Sequence, residues 1–287
     1  MLQAIISPAK QMRVAQDAFA PQGIPPFPTA TERLRQELLR IEREQGADGL
    51  KDLWRVNDKL LNQNIERLHG LTPVLDEGLL DEPDVARAVS AAAFSYVGIQ
   101  YQSLAPEVLD LDALSWLQDH LWILSGFYGC ARPFDAVQPY RLEMGAKLSI
   151  DGARDLYAFW GGRIADAIEG AATHGDATET EPALIVNLAS VEYAKAVLPY
   201  TAPTTQIVTC VFGEDLRGGK PVQRATASKI ARGSMVRWMA EQHIERAEDL
   251  TRFNIGYRYA PELCDERQLK TGAREQTLVF LREELRA

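Results

Sequence analysis

Between Leu216 and Ala240 the chain carries six cations (Arg217, Lys220, Arg224, Lys229, Arg232, Arg237) and no acid, although its formal net charge is -9. Wound as a helix at about 100° per residue, residues 227–240 put Lys229, Arg232 and Arg237 on one face with Gly233 and Ala240. Ala231, Met235, Trp238 and Met239 fall on the opposite face. Small residues among cations let a phosphate or sugar approach the backbone, while the apolar face anchors the helix to a core. The pattern points to an anion site, weighed against the commoner solvated basic helix that balances acidic surface nearby.

Three further segments carry groups able to do chemistry. Ser7-Pro8-Ala9-Lys10 follows an apolar run, Leu2–Ile6. A strand end of this kind commonly opens on a ligand in α/β folds. Lys10 offers a cation or, if desolvated, a nucleophilic amine; the alternative is a turn that ends in a surface lysine. Leu124-Ser125-Gly126-Phe127-Tyr128-Gly129 precedes Arg132-Pro133-Phe134-Asp135 and Arg141-Leu142-Glu143. Its glycines could form the turn of a helix-hairpin-helix whose amides contact phosphate, or equally a buried strand with a glycine turn. Arg141 and Glu143 read as a structural ion pair or a polar active-site couple. Asn187-Leu188-Ala189-Ser190, with Lys195 beyond, reads as a strand end whose Ser190 caps a helix. No Walker A motif, dinucleotide fingerprint or Ser/His/Asp order is present.

These groups need a scaffold, and composition bounds it. The chain has 287 residues, 46% hydrophobic and 25% charged, as an ordinary globular protein does. A pI near 5.1 confines any nucleic-acid contact to a local patch. Three scattered cysteines allow no disulfide framework or Cys-x-x-Cys metal site, as suits a reducing cytoplasm. No apolar run approaches the ~20 residues of a membrane span. The four histidines lack ligand spacing. A cytoplasmic protein without metal, cofactor or membrane contact is therefore expected.

Hydrophobic periodicity and turn residues predict strands at Leu2–Ile6, Phe94–Tyr101, Ala183–Leu188, Gln206–Phe212, Phe253–Tyr259 and Thr277–Leu281. Helices are predicted from Thr29 or Thr31 to Glu44, then at Gly49–Val56, Asp58–Leu68, Leu111–His120, Ala153–Ala171 and Val191–Val197, besides the basic helix. Leu121–Leu124 could extend one helix or begin a strand, and Tyr140–Ile150 reads as extended. Residues 11–29 form a proline-rich loop and His174–Glu181 an acidic one. Strands and helices interleave without a linker, so one α/β domain over residues 1–287 is expected, with a mixed β-sheet flanked by helices.

Taken together, these blocks resemble the bacterial YaaA family of peroxide stress resistance proteins. The resemblance runs through Ile6-Ser7-Pro8-Ala9-Lys10, Asn57-Asp58-Lys59-Leu60, Leu124–Gly129, Arg132-Pro133, Pro139–Gly145, Phe159-Trp160-Gly161 and Asn187–Ser190. It closes with Lys229, Ala231-Arg232-Gly233, Met235, Arg237 and Phe253–Tyr257. Asn57, where the family often carries Ser, and the loop at 11–29 are departures. The resemblance implies a single-domain α/β fold with a helix-hairpin-helix-like element and a cation-lined cleft around Ser7, Lys10, Lys59, Arg141, Lys229, Arg232, Gly233 and Arg237. It further implies binding of double-stranded DNA without sequence preference, a role in oxidative stress, and limitation of free intracellular iron. Partners expected are DNA and a nucleotide or phosphate ligand, with a monomer favoured. The alternative is an enzyme acting on a nucleotide or damaged base with Lys10 as amine nucleophile. Direct iron binding is disfavoured by the absence of a Cys/His cluster.

Overall fold

The computed structural model describes residues 1–15, 17–172 and 182–283. The acidic stretch His174–Glu181 lies outside them. The chain forms two compact units, one made of Met1–Ser7, Gly98–Trp122 and the described part of Ala165–Ala287, the other of Pro8–Val97 and Ile123–Ile164.

The first unit is organised by parallel strands whose apolar residues are buried, as strands covered on both faces must be. Leu2–Ile6, buried at every position, pairs in parallel with Leu184–Asn187, from Leu2 opposite Leu184 to Ile5 opposite Asn187. Leu184–Asn187 pairs in parallel with the first half of Gln206–Gly213, the last partners being Asn187 and Thr209. Arg274–Arg282 runs parallel along the other side of Gln206–Gly213 and carries two antiparallel strands, Tyr257–Tyr259 and Asp265–Gln268. The α/β class and the mixed sheet expected from the sequence are thus observed.

The helix Leu111–His120 begins at Asp110, whose carboxylate accepts the Ala113 amide at 2.8 Å. Its last residue, His120, stacks on Trp116 at 4.5 Å and lies 2.8 Å from the Leu2 carbonyl. Burial pushes its pKa down.

The basic segment is the helix Ala225–Glu241, and the glycine on its expected anion-facing side has another use. Gly233 packs against the helix Ile99–Leu104, and a Cβ at this position would lie 2.0 Å from the Gln100 carbonyl oxygen. The space a phosphate would need beside Gly233 is filled by a neighbouring helix. Ser228, Val236 and Ala240 are buried as well, so the covered arc extends beyond the predicted apolar face.

In the second unit the two helices expected between Thr29 and Val56 are one element, Pro28–Trp54, broken at Gly46. Pro28 starts it, and neither Thr29 nor Thr31 caps it. Asp58–Gly70 follows, capped by Asn57, which accepts the Leu60 amide at 3.0 Å. Serine and asparagine serve equally as N-caps, so Asn57 fits the position where the family often carries Ser.

Leu121–Ser125 turns back on Gly129–Ala131 as a β-hairpin, with Ile123 opposite Ala131. The helix-hairpin-helix turn considered for Gly126 and Gly129 is therefore not formed here. The physical reason lies in the turn itself. Ser125 Oγ accepts the amides of Phe127 (3.1 Å) and Tyr128 (2.9 Å), and Gly126 lies so close to the Leu142 carbonyl that a Cβ would approach it to 2.6 Å. Those amides have no donor left for a phosphate.

Other boundaries differ locally. Phe94–Tyr101 is not one strand: the two-residue strand Tyr96–Val97 is flanked by short helices, Ala92–Ser95 and Ile99–Leu104. Ala153–Ala171 breaks after Trp160 into Leu156–Trp160 and Arg163–Ala172. Tyr140–Ile150 carries no regular strand, and the predicted strand at Phe253 begins only at Tyr257. No helix among the described residues is long and apolar enough to cross a membrane.

Replacing Gly233 with Ala tests the close helix contact. Alanine favours an isolated helix by about 1 kcal/mol, yet the clash should outweigh this and lower stability by about 1–3 kcal/mol in denaturant titration.

Candidate functional site

The first unit contains a cleft of about 520 Å³ where the strand Leu184–Asn187 ends and Gln206–Gly213 continues alone on that side. Its floor is a chain of polar contacts across the parallel strands. Asn187 Oδ1 accepts the Ala189 amide at 3.0 Å, and Asn187 Nδ2 donates to Thr209 Oγ1 at 3.1 Å. The Thr209 hydroxyl donates to Glu275 Oε1 at 2.7 Å, and Arg267 Nε donates to Glu275 Oε2 at 2.7 Å. The Glu275 side chain is only 3% exposed, so both of its oxygens are occupied where water is excluded.

Arg232 enters the same cleft from the basic helix, together with Lys195 and Lys270. Its position differs from that of every other cation in the helix. The Arg232 Nε is fully buried without a hydrogen-bond partner, and among the described residues the guanidinium pairs with no carboxylate. Burial pushes its pKa down, with the neighbouring Cys210 opposing weakly. Cys210 is itself pushed up to about 12 by burial, so its thiol is protonated and inert at neutral pH.

Of the expected site residues, Arg232 lines this cleft. Ser7, at the end of the first strand, serves structure: its Oγ accepts the Ser190 amide at 2.8 Å, and its carbonyl accepts Gln100 Nε2 at 2.9 Å and the Tyr101 hydroxyl at 3.0 Å. Ser190 precedes the helix Val191–Ala194 but makes no side-chain cap; its hydroxyl instead accepts from Ser7 Oγ at 3.2 Å. Gly233 is covered as described, Arg237 pairs with Glu241 at 2.8 Å, and Arg224 pairs with Glu214 at 2.6 Å. Lys229 is exposed. Arg217 and Lys220 face each other across the exposed ribbon formed by Asp215–Arg217 and Lys220–Val222.

The second unit brings Lys10 and Arg141 together. Glu143 Oε1 accepts Arg141 Nη2 at 2.6 Å and lies 3.2 Å from Lys10 Nζ, while Arg141 Nη1 donates to the Lys10 carbonyl at 3.2 Å. Arg67 donates to the Met12 carbonyl at 2.9 Å, and its pKa is lowered by burial and then by repulsion from Arg141. The Lys10 side chain is 68% exposed. Lys59 is exposed on the helix Asp58–Gly70. Among the described residues no group of His, Cys, Asp and Glu could hold a metal ion.

Residues 2–263 match the family described as peroxide stress protein YaaA. The chain belongs to the YaaA family. It is 37% identical over 285 residues to a UPF0246 protein of Pediococcus pentosaceus, covering 99% of each chain. It is 38% identical over 269 residues to a UPF0246 protein of Lachnoclostridium phytofermentans, covering 93% of this chain and 95% of the relative. A UPF0246 protein of Limosilactobacillus fermentum is 40% identical over 267 residues, 92% of this chain and 97% of the relative.

Within this member of the family, sequence reasoning missed Thr209, Glu275, Arg267 and Lys270. The last two belong to a hairpin, Arg267 on the strand Asp265–Gln268 and Lys270 in the turn that leads to Arg274–Arg282. A signal was present: Glu275 opens a strand that continues Thr-Leu-Val-Phe-Leu from residue 277, and an acid leading into such a run needs a partner.

Thr209→Val is nearly isosteric and removes the central link of the polar chain. It leaves the Asn187 amide and a Glu275 oxygen without a partner, so denaturant titration should show a loss of about 1–3 kcal/mol.

Proposed function

We propose that this protein acts in the peroxide stress response by binding double-stranded DNA without sequence preference, as a cytoplasmic monomer, and so limits oxidative damage. One observation carries the reading. Among the described residues, Arg217, Lys220 and Lys229 are exposed and make no ion pair, whereas Arg224 and Arg237 are neutralised by Glu214 and Glu241. The free cations lie on one ribbon and the helix that follows it, giving a protein of charge -9 a local patch suited to a polyanion. On the second unit, Lys10 and Lys59 are exposed as well. Contacts of this kind go to phosphates and carry no sequence information. The reading extends to limiting free intracellular iron, by an indirect route.

The arrangement around Lys10 favours a charge contact over catalysis. Its ammonium is exposed and held against Glu143, without the dry pocket that an attacking amine requires.

Titrating a labelled duplex at several salt concentrations tests the proposal. Affinity should be modest, independent of sequence, and fall steeply with salt. Replacing Arg217, Lys220 and Lys229 together with Ala should weaken binding and shrink the log–log salt slope by roughly 1 per lost contact. Lys10→Arg should cost no more than ~1 kcal/mol, and borohydride should trap no adduct on abasic DNA. Absence of binding at low salt, or binding indifferent to salt, sinks the DNA reading; a borohydride-trapped adduct lost in Lys10→Arg establishes the enzyme instead.

A further inference from the structure

We propose that the cleft beside Arg232 binds a phosphate monoester whose organic part is about the size of a nucleoside. The inference is independent of duplex binding, because it concerns a concave site and not the exposed cations of the ribbon. Arg232 is half-buried and has no carboxylate partner among the described residues, and an unpaired cation in that setting destabilises the folded chain. A bound anion would supply the missing partner, and a phosphate matches the planar fork of arginine donors.

Charge around the cleft fits a dianion. Arg232, Lys195, Lys270 and Arg267 face a single carboxylate, Glu275, which is already committed to Arg267 and Thr209. The carboxylate therefore shields Arg267, and among the described residues the other three cations form no ion pair. A terminal phosphate, with two negative charges near neutral pH, suits this better than a backbone diester with one.

Shape and lining bound the organic part. The volume, about 520 Å³, falls in the range of small-ligand sites, roughly 300–1,000 Å³. Leu198, Pro199, Val211 and Leu269 give an apolar wall, while Asn187 and Thr209 offer hydrogen bonds at the floor. Strand pairing ends beside Thr209, which places the cleft where open α/β sheets usually receive ligands.

A phosphate monoester could be a free nucleotide or the 5′-phosphate end of a broken strand. Thermal shift and calorimetric titration of the full chain with AMP, adenosine, inorganic phosphate, and a single-stranded oligonucleotide bearing either 5′-phosphate or 5′-hydroxyl distinguish these sources. AMP should stabilise the protein where adenosine does not. Preference for AMP over the phosphorylated oligonucleotide would mark a free nucleotide; preference for 5′-phosphate over 5′-hydroxyl would mark a strand end. Either result supports the monoester site. Arg232→Met should weaken binding of the preferred probe about tenfold or more, yet melt no lower than the wild type without ligand, since it removes a half-buried unpaired charge. Arg232→Lys, which keeps the charge, should retain part of the affinity and serves if the methionine variant fails to fold. No stabilisation by AMP, phosphate or the phosphorylated oligonucleotide at millimolar concentration, or equal binding by wild type and both variants, overturns the proposal.

Discussion

The parallel sheet of the first unit is interrupted where Leu184–Asn187 stops and Gln206–Gly213 runs on, and polar groups inside the unit must be satisfied at that gap. Asn187, Thr209, Glu275 and Arg267 meet the requirement in sequence, each donor finding an acceptor on the next strand. Because both oxygens of the buried Glu275 are engaged, the floor of the cleft is fixed without recourse to solvent. The crevice so formed is built, and Arg232 stands in it without a partner. Replacing any one link leaves its neighbours desolvated and unpaired, which costs more than an average hydrogen bond contributes.

Electrostatics divides the cations of the acid-free segment by environment. Arg224 and Arg237 lie beside carboxylates and serve local structure. Arg217, Lys220 and Lys229 are exposed, where water and salt weaken each charge but several together attract a polyanion. Arg232 alone in this segment combines a buried nitrogen with the absence of any partner among the described residues. Exposed charges suit a long, salt-sensitive partner, whereas a half-buried one in a cleft selects a small ligand that can enter it.

Much of the scaffold was legible because its signals are local. The apolar run Leu2–Ile6, the helical patterns of Asp58–Leu68 and Leu111–His120 and the run Thr277–Leu281 each mark an element. The site was legible only in part. Arg232 and Lys195 could be singled out from charge and spacing, but Gly233 was misjudged because a helical wheel does not show which neighbour covers a face. Gly126 and Gly129 suit a phosphate-binding turn by composition, yet Ser125 already occupies the amides. Thr209, Glu275 and Arg267 come together through strand register, a non-local property that residue spacing does not encode.

The state of the Arg232 side chain tests the central claim most directly. Proton–nitrogen NMR resolves arginine Nε–H groups, and comparison with Arg232→Lys assigns this one. Without ligand the signal should have the shift of a proton lacking an acceptor, and saturation with AMP should shift it as the phosphate pairs with the guanidinium. A signal already hydrogen-bonded in the free protein, or unchanged at saturating AMP, would contradict the anion site.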